Sequence, residues 1–233
     1  MLALPLDVID EPSIAAAVAA AVDRFGTIDV LVNNAGYGIF GPLEGIAAGQ
    51  LEDQFKVNVL GTAAMIRHVL PVMRAHRSGT IINLSSIGGR IGTPYVSAYY
   101  ATKFAVEGLS ESLRFELKAH GIRVKLIEPA HFKTDFIGRS LQAWATHAAY
   151  EPQVSNMKGW VAYGEAKAPD ADPVAEMIFK AATDASDRLR YPVSGALVRA
   201  IHTLLPDAIW RALAGAGMSR SPKPVISSAA RAS

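Results

Sequence analysis

Tyr99 and Lys103 stand four positions apart in the stretch Ser97-Ala98-Tyr99-Tyr100-Ala101-Thr102-Lys103. On a helix that spacing puts both side chains on one face. A phenol beside an ammonium becomes a usable proton donor near neutrality, because the positive charge favours phenolate and lowers a pKa that is ordinarily about 10. Ser86 adds a hydroxyl just beyond the apolar run Thr80–Leu84, at a strand end, where α/β folds place their chemistry. A Tyr–Lys pair at this spacing is by itself ordinary helix surface. Its meaning depends on the elements that position it.

Those elements alternate. Leu2, Leu4 and Leu6 predict a short strand ending at Asp7-Val8. Asp10 is an N-cap candidate with Pro12 in the first turn of a helix running to about Phe25, where Gly26 ends it. Ile28–Val32 reads as a strand leading into Asn33-Asn34-Ala35-Gly36, and Gln50 to about Arg77 as a long helix interrupted by Asn58, Gly61 and Pro71. The Thr80–Leu84 strand, a Tyr99–His120 helix stopped by Gly121, and an Ile122–Ile127 strand ending at Glu128-Pro129 follow. A helix from Asp172 to about Ala185 and a short strand at Arg190–Val193 complete the pattern. Strands alternating with helices of these lengths predict an α/β fold, a doubly wound parallel sheet covered on both faces.

Residues 130–170 carry aromatics without periodicity and suggest a loop-rich substrate cover. Trp144, Trp160 and their apolar neighbours favour a bulky apolar alcohol or ketone over a small charged acid. In the helical segment 196–214, the stripe Leu197, Ile201, Leu204, Leu205, Ile209 and Leu213 is expected to pack on the body or line the substrate pocket rather than touch a membrane. The whole reads as one domain over 1–218 with a disordered tail at 219–233, rich in Ser, Pro and Ala.

Composition bounds the function. The chain has 233 residues, half of them apolar and 19% charged, with a net charge of +2 that gives no case for nucleic acid. With no cysteine there is neither disulfide nor thiolate chemistry, and a cytoplasmic setting fits. No basic leader precedes Asp7, and Ile14–Val22 is too short to span a bilayer. No metal-ligand set is read. Gly36, Gly38 and Gly41 match Gly-x-Gly-x-x-Gly, but Pro42-Leu43-Glu44-Gly45 follows instead of a helix start, so this is read as a connection and not a dinucleotide fingerprint.

Several motifs in fixed order make the chain resemble a short-chain dehydrogenase/reductase: Asp7-Val8, Asn33-Asn34-Ala35-Gly36, Asn58 within Lys-Val-Asn-Val, Ser86 thirteen residues before Tyr99, Tyr99-x-x-x-Lys103, and Pro129 with Thr134. The match runs from Leu2 to about Phe136. The resemblance implies a Rossmann-like three-layer α/β/α fold and hydride transfer between a nicotinamide (NADP or NAD, NADP the first choice) and an alcohol/carbonyl pair. It implies Tyr99 as general acid/base, Lys103 lowering its pKa and holding the ribose, Ser86 on the substrate oxygen, and Asn58 anchoring a proton relay. The cofactor contacts it implies are Asp7 and Val8 at the adenine, Asn33, Ala35 and Gly36 by backbone, and Pro129, Phe132 and Thr134 near the carboxamide. Tyr100 lacks both spacings and is read as core packing; His131 is read as incidental. A homodimer or homotetramer is implied through the helices bearing Asn58 and Tyr99.

Two departures stand out. Ala130 replaces the glycine usual after Pro129, at a cost of about 1 kcal/mol or more if φ is positive there and none if it is negative. The family's glycine-rich strand–helix–strand unit, at least ~30 residues, would precede Leu2, so the fold is expected to be N-terminally truncated relative to the family. The alternative function that follows is a non-catalytic or cofactor-impaired remnant.

Overall fold

The computed structural model describes residues 1–134, 136 and 141–218. The expected tail at 219–233 lies outside the described residues.

Helix α1 (Glu11–Phe25) starts where the Asp10 carboxylate accepts from the Ser13 amide at 3.0 Å, and it stops at Gly26, whose φ of 81° a side chain would resist. Strand β1 (Val30–Asn33), the short β2 (Gly38–Phe40) and helix α2 (Ala48–Phe55) follow. A π-helical turn over Lys56–Gly61 joins α2 to α3 (Thr62–His76). Next come β3 (Gly79–Leu84), α4 (Ser97–Lys118), β4 (Ile122–Pro129), β5 (Leu141–Trp144), α5 (Gln153–Lys167), α6 (Asp172–Thr183), β6 (Arg190–Val193), α7 (Ala196–Leu204) and α8 (Asp207–Met218).

Four strands form a parallel sheet in the order β1-β3-β4-β6. Parallel strands expose apolar side chains on both faces, and both are covered. Ile81 and Val124 pack with Leu31, Ile14 of α1, and Met65, Val69 and Met73 of α3. Leu126 packs under Val106 of α4 on that same face. Ile82 and Ile127 point the other way, against Ala181, Met177 and Ile178 of α6. The β4–α6–β6 crossover therefore has the opposite hand from β1–α3–β3 and β3–α4–β4, an exception to the usual rule.

Three expectations change. Leu2–Leu6 is not a strand: the three leucines are about two-fifths exposed and no described strand pairs with them to take their backbone groups. Residues 130–170 are not merely loop: α5 spans fifteen of them, and β5 pairs in parallel with β2. Most of the stripe on α7 and α8 faces outward instead of packing on the body: Leu197 and Leu204 are 73% and 79% exposed and Ile209 and Leu213 are exposed, while Ile201 and Leu205 are half-buried. Trp210 is tied inward, its indole N–H donating to the Gly92 carbonyl at 3.2 Å. Among the described residues, no helix is long and apolar enough to cross a membrane.

Candidate active site

The carboxyl ends of β1, β3 and β4 open into a cleft of two hollows, of about 370 and 140 Å³, that share Asn34. Gly36, Ser86, Tyr99, Lys103, Pro129, Phe132 and Thr134 all line the larger one. Val8, Asn33 and Ala35 line the smaller. Of the sequence-predicted residues, Asn58 sits just behind the wall and Asp7 stands outside both linings, exposed, with its carboxylate accepting from the Ile9 amide at 3.0 Å. A more open hollow of about 630 Å³ near Lys133, Glu165 and Pro169 gathers none of them.

Helix α4 supplies Tyr99 and Lys103. Lys103 Nζ lies 5.6 Å from the centroid of the Tyr99 ring and donates to the Leu84 carbonyl at the end of β3, at 2.8 Å. Burial pushes the Lys103 ammonium down to about 8, and nearby Glu107 opposes the shift. Tyr99 departs from expectation. Burial holds its phenol well above the ordinary value, the neighbouring Tyr100 adds to this, and only a hydrogen bond from Ser86 opposes it. In a pocket this dry, desolvation of phenolate outweighs the ammonium at this separation.

Ser86 opens the turn after β3, its hydroxyl accepting from the Gly88 amide at 3.1 Å and reaching the Pro129 carbonyl at 3.5 Å. Ala130 is not among the residues with positive φ, so the methyl group there is unstrained. Asn33 turns its side chain into the sheet, donating to Asn83 at 2.8 Å, and Asn83 donates in turn to Ser110 at 2.8 Å. That leaves the Asn33 backbone to face the cleft.

Asn58 occupies the π-helical turn, a distortion that frequently marks functional positions. Its Nδ2 donates to the Tyr37 carbonyl at 2.8 Å and to Thr102 Oγ1 at 3.0 Å, while its Oδ1 accepts from the Tyr37 amide at 3.0 Å. Thr102 donates to the Tyr99 carbonyl at 2.7 Å. Asn58 is thereby bonded to the backbone beside Gly36 and to the helix that carries Tyr99. A Cβ on Gly36 would come within 3.1 Å of Asn58 Oδ1 and 4.0 Å of Lys103 Nζ, so bare backbone forms the floor here.

Sequence reasoning missed Thr102, Asn34 and the part that Phe40 plays in the roof, whose other members come from the 130–170 cover it expected. Phe40 from β2, Phe136, and Met157 and Val161 from α5 close over the Tyr99 ring. Tyr100, read as core, also lines the cavity, held by Thr93 at 3.3 Å. His131 lines it too, its ring 3.3 Å from the Glu165 carboxylate. The Gly-x-Gly-x-x-Gly match is indeed a connection: Gly38 starts β2, and Gly41 has a φ of 123° and a Cβ there would meet the Ala145 carbonyl at 2.2 Å.

Comparison with known proteins agrees with this geometry. Residues 1–144 match the family described as short chain dehydrogenase. An oxidoreductase of Schizosaccharomyces pombe is 38% identical over 223 residues, spanning 91% of this chain and 90% of that protein. The crystal structure of a short-chain dehydrogenase from Streptomyces avermitilis has a TM-score of 0.76 at 33% identity, covering 92% of this chain and 78% of the other. A 3-ketoacyl-(acyl-carrier-protein) reductase from Brucella melitensis, complexed with NADH, has a TM-score of 0.69 at 26% identity, covering 84% and 77%.

Proposed function

The chain belongs to the short-chain dehydrogenase family, and on that premise we propose that it is an NAD(P)-dependent oxidoreductase acting on an alcohol/carbonyl pair, with Tyr99 as its general acid/base. The observation that carries this reading is the convergence of Ser86, Tyr99 and Lys103 on one apolar cavity at the strand ends, with Asn58 bonded to both of its walls.

The residues present fit a dinucleotide. Gly36 offers uncovered backbone between Asn58 and Lys103, and the cleft continues past Asn34 to Ala35 and Val8. Lys103 would hold the ribose next to the nicotinamide; Pro129, Phe132 and Thr134 would hold its carboxamide; Asn33, Ala35 and Val8 would flank the adenosine half, with Asp7 at its rim. When bound, the nicotinamide supplies or accepts the hydride.

The chain's own groups manage the proton. Tyr99 gives its phenolic proton to the carbonyl oxygen in reduction and takes it back in oxidation. Ser86 donates to the same oxygen and stabilises the charge that builds there. Lys103 offsets the charge left on Tyr99; its ammonium returns a proton to the phenolate and regains one from solvent along the Asn58 side of the site. The Phe40, Phe136, Met157 and Val161 roof excludes water and selects a bulky apolar substrate. Leu60, Phe104 and Phe115, at 60%, 47% and 71% exposure, give the helical face on which a homodimer or homotetramer would form. Sedimentation of Phe115→Asp as a smaller species than the parent would support that assembly, and an unchanged mass would reject it.

Titration with NADH and NADPH, followed by nicotinamide fluorescence, tests the cofactor assignment. Saturable micromolar binding is expected. Absence of binding to a folded chain contradicts the proposal.

A further inference from the structure

Helix α4 carries one more charged residue on the Tyr99–Lys103 face, a turn further along. Glu107 follows Lys103 by four positions as Lys103 follows Tyr99, so the three form a continuous stripe. Glu107 is only 5% exposed. Its Oε2 meets Arg190 Nε of β6 at 3.0 Å and Arg90 Nη1 at 3.9 Å, and its Oε1 has no hydrogen-bond partner among the described residues.

Arg190 is the hub of this cluster. Besides Glu107 it meets Glu128 Oε1, at the end of β4, at 3.3 Å and Glu111 Oε2, a turn further along α4, at 2.8 Å. Lys103 and Glu111 on α4, Arg90 from the turn after β3, Glu128 from β4 and Arg190 from β6 are thus the charged groups around Glu107. Arg199 adds a favourable field at Glu128 and Arg114 one at Glu111. Gly89 lets this turn lie directly on the helix. A Cβ there would come within 2.9 Å of Glu107 Cγ, 3.1 Å of the Lys103 carbonyl and 2.6 Å of Ser85 Oγ.

A buried carboxylate with an unbonded oxygen needs positive charge nearby, and a buried ammonium bound only to a carbonyl needs negative charge. Glu107 has its positive partners in Arg190 and Arg90, and Lys103, one turn away on the same face of α4, lies within its field. Lys103 feels Glu107 as the one charge that opposes its loss of a proton. Glu128, by contrast, is held above the ordinary carboxylate range by burial and by Glu107 itself. The single guanidinium of Arg190 stands between these two acids.

We propose that Glu107 is a positioning residue for the oxidoreductase site: its carboxylate keeps Lys103 in its ammonium form, and Arg190, paired with it at 3.0 Å, holds that carboxylate in place. A chain of alternating charge then runs from the edge strand, through Arg190, Glu107 and Lys103, to the Tyr99 phenol. The consequence for turnover rests on the function proposed above; the effect on the charge of Lys103 does not. A merely structural cluster would tie β6 to α4 and leave Lys103 titrating as before.

The test labels the whole chain briefly with trinitrobenzenesulfonate, which attacks only unprotonated amines, across a range of pH, and reads Lys103 by peptide mass spectrometry. Glu107→Gln is expected to move the Lys103 labelling midpoint down by about one pH unit, giving about fivefold more label at neutral pH. Arg190→Gln should move it less and in the same direction, and Glu111→Gln should leave it unchanged. Lys125, buried on the other face of the sheet, serves as the control for general loosening and should stay unlabelled throughout. An unmoved midpoint in folded Glu107→Gln overturns the proposal. If that variant fails to fold, an unmoved midpoint in Arg190→Gln overturns it equally. Labelling needs no cofactor, so a chain without oxidoreductase activity would defeat the functional reading and leave this result standing. In an active chain, the pH–rate limb of Glu107→Gln should move with the label, and a limb that stays in place contradicts the positioning role.

Discussion

The floor and the roof of the cleft are held in place by different forces. On the floor, Asn58, Thr102, Lys103 and Ser86 are buried or partly buried polar groups held by directional hydrogen bonds to neighbouring segments. On the roof, Phe40 packs edge-on to Trp144 at 5.4 Å and tilted to Tyr99 at 5.8 Å, and Phe136 lies 5.3 Å from Tyr99. Ring contacts fix distance more than direction. The difference suits two tasks. A proton donor must stay within a fraction of an ångström of its acceptor, whereas an apolar substrate needs a wall that repacks around it.

That contrast can be broken from either side. Losses on the floor should appear in turnover and be the larger. Lys103→Met removes the charge behind Tyr99 and should lower turnover on the order of 10³-fold or more in steady-state assays. Ser86→Ala should lower it by about 10²–10³-fold with little change in cofactor affinity. Turnover should also fall as pH rises through about 8, because Lys103 has a depressed pKa and loses its charge there. The same depression makes stability rise between about 8 and the ordinary lysine value of 10.5, where the unfolded chain still holds a proton that the folded one has released. Denaturant midpoints across that range check the sign.

Changes to the roof should alter selection and stability instead. Gly41→Ala, at a positive φ and against the Ala145 carbonyl, should destabilise the β2–β5 ribbon by about 1–3 kcal/mol and raise KM before it touches kcat. Val161→Ala should relax preference among apolar ketones by about tenfold, measured as a ratio of kcat/KM. Asp10→Ala, remote from both walls, should cost about 1 kcal/mol of stability and no activity.

The two walls also differ in how far they can be read from sequence. Helix α4 and strands β3 and β4 are continuous segments with caps, apolar runs and a four-residue chemical step, so the positions of Tyr99, Lys103 and Ser86 follow from local pattern. The β2–β5 pairing brings Phe40 beside Trp144 across about a hundred residues, through strands of three and four residues that leave no alternation to detect. Helix α5 fully buries only Val154 and Asn156, and its inward face of Val154, Met157 and Val161 is too thin to stand out in the sequence. Leu2–Leu6 shows the opposite error. Its alternation is real, but a strand also needs a partner, and alternation cannot show one. Tyr100 packs on the Tyr99 cluster as its reading as core expects, and it also forms cavity wall, of which its spacing to Lys103 says nothing.

The central claim is that this cleft transfers hydride while Tyr99 handles the proton. Reduced nicotinamide dinucleotide carrying deuterium at the transferred position, incubated with the chain and a bulky apolar ketone, tests it most directly by mass spectrometry of the alcohol. The account predicts deuterium on the carbinol carbon with the parent chain and none above background with Tyr99→Phe, although that variant still binds the cofactor. An unlabelled alcohol from the parent, or full transfer by Tyr99→Phe, would contradict it.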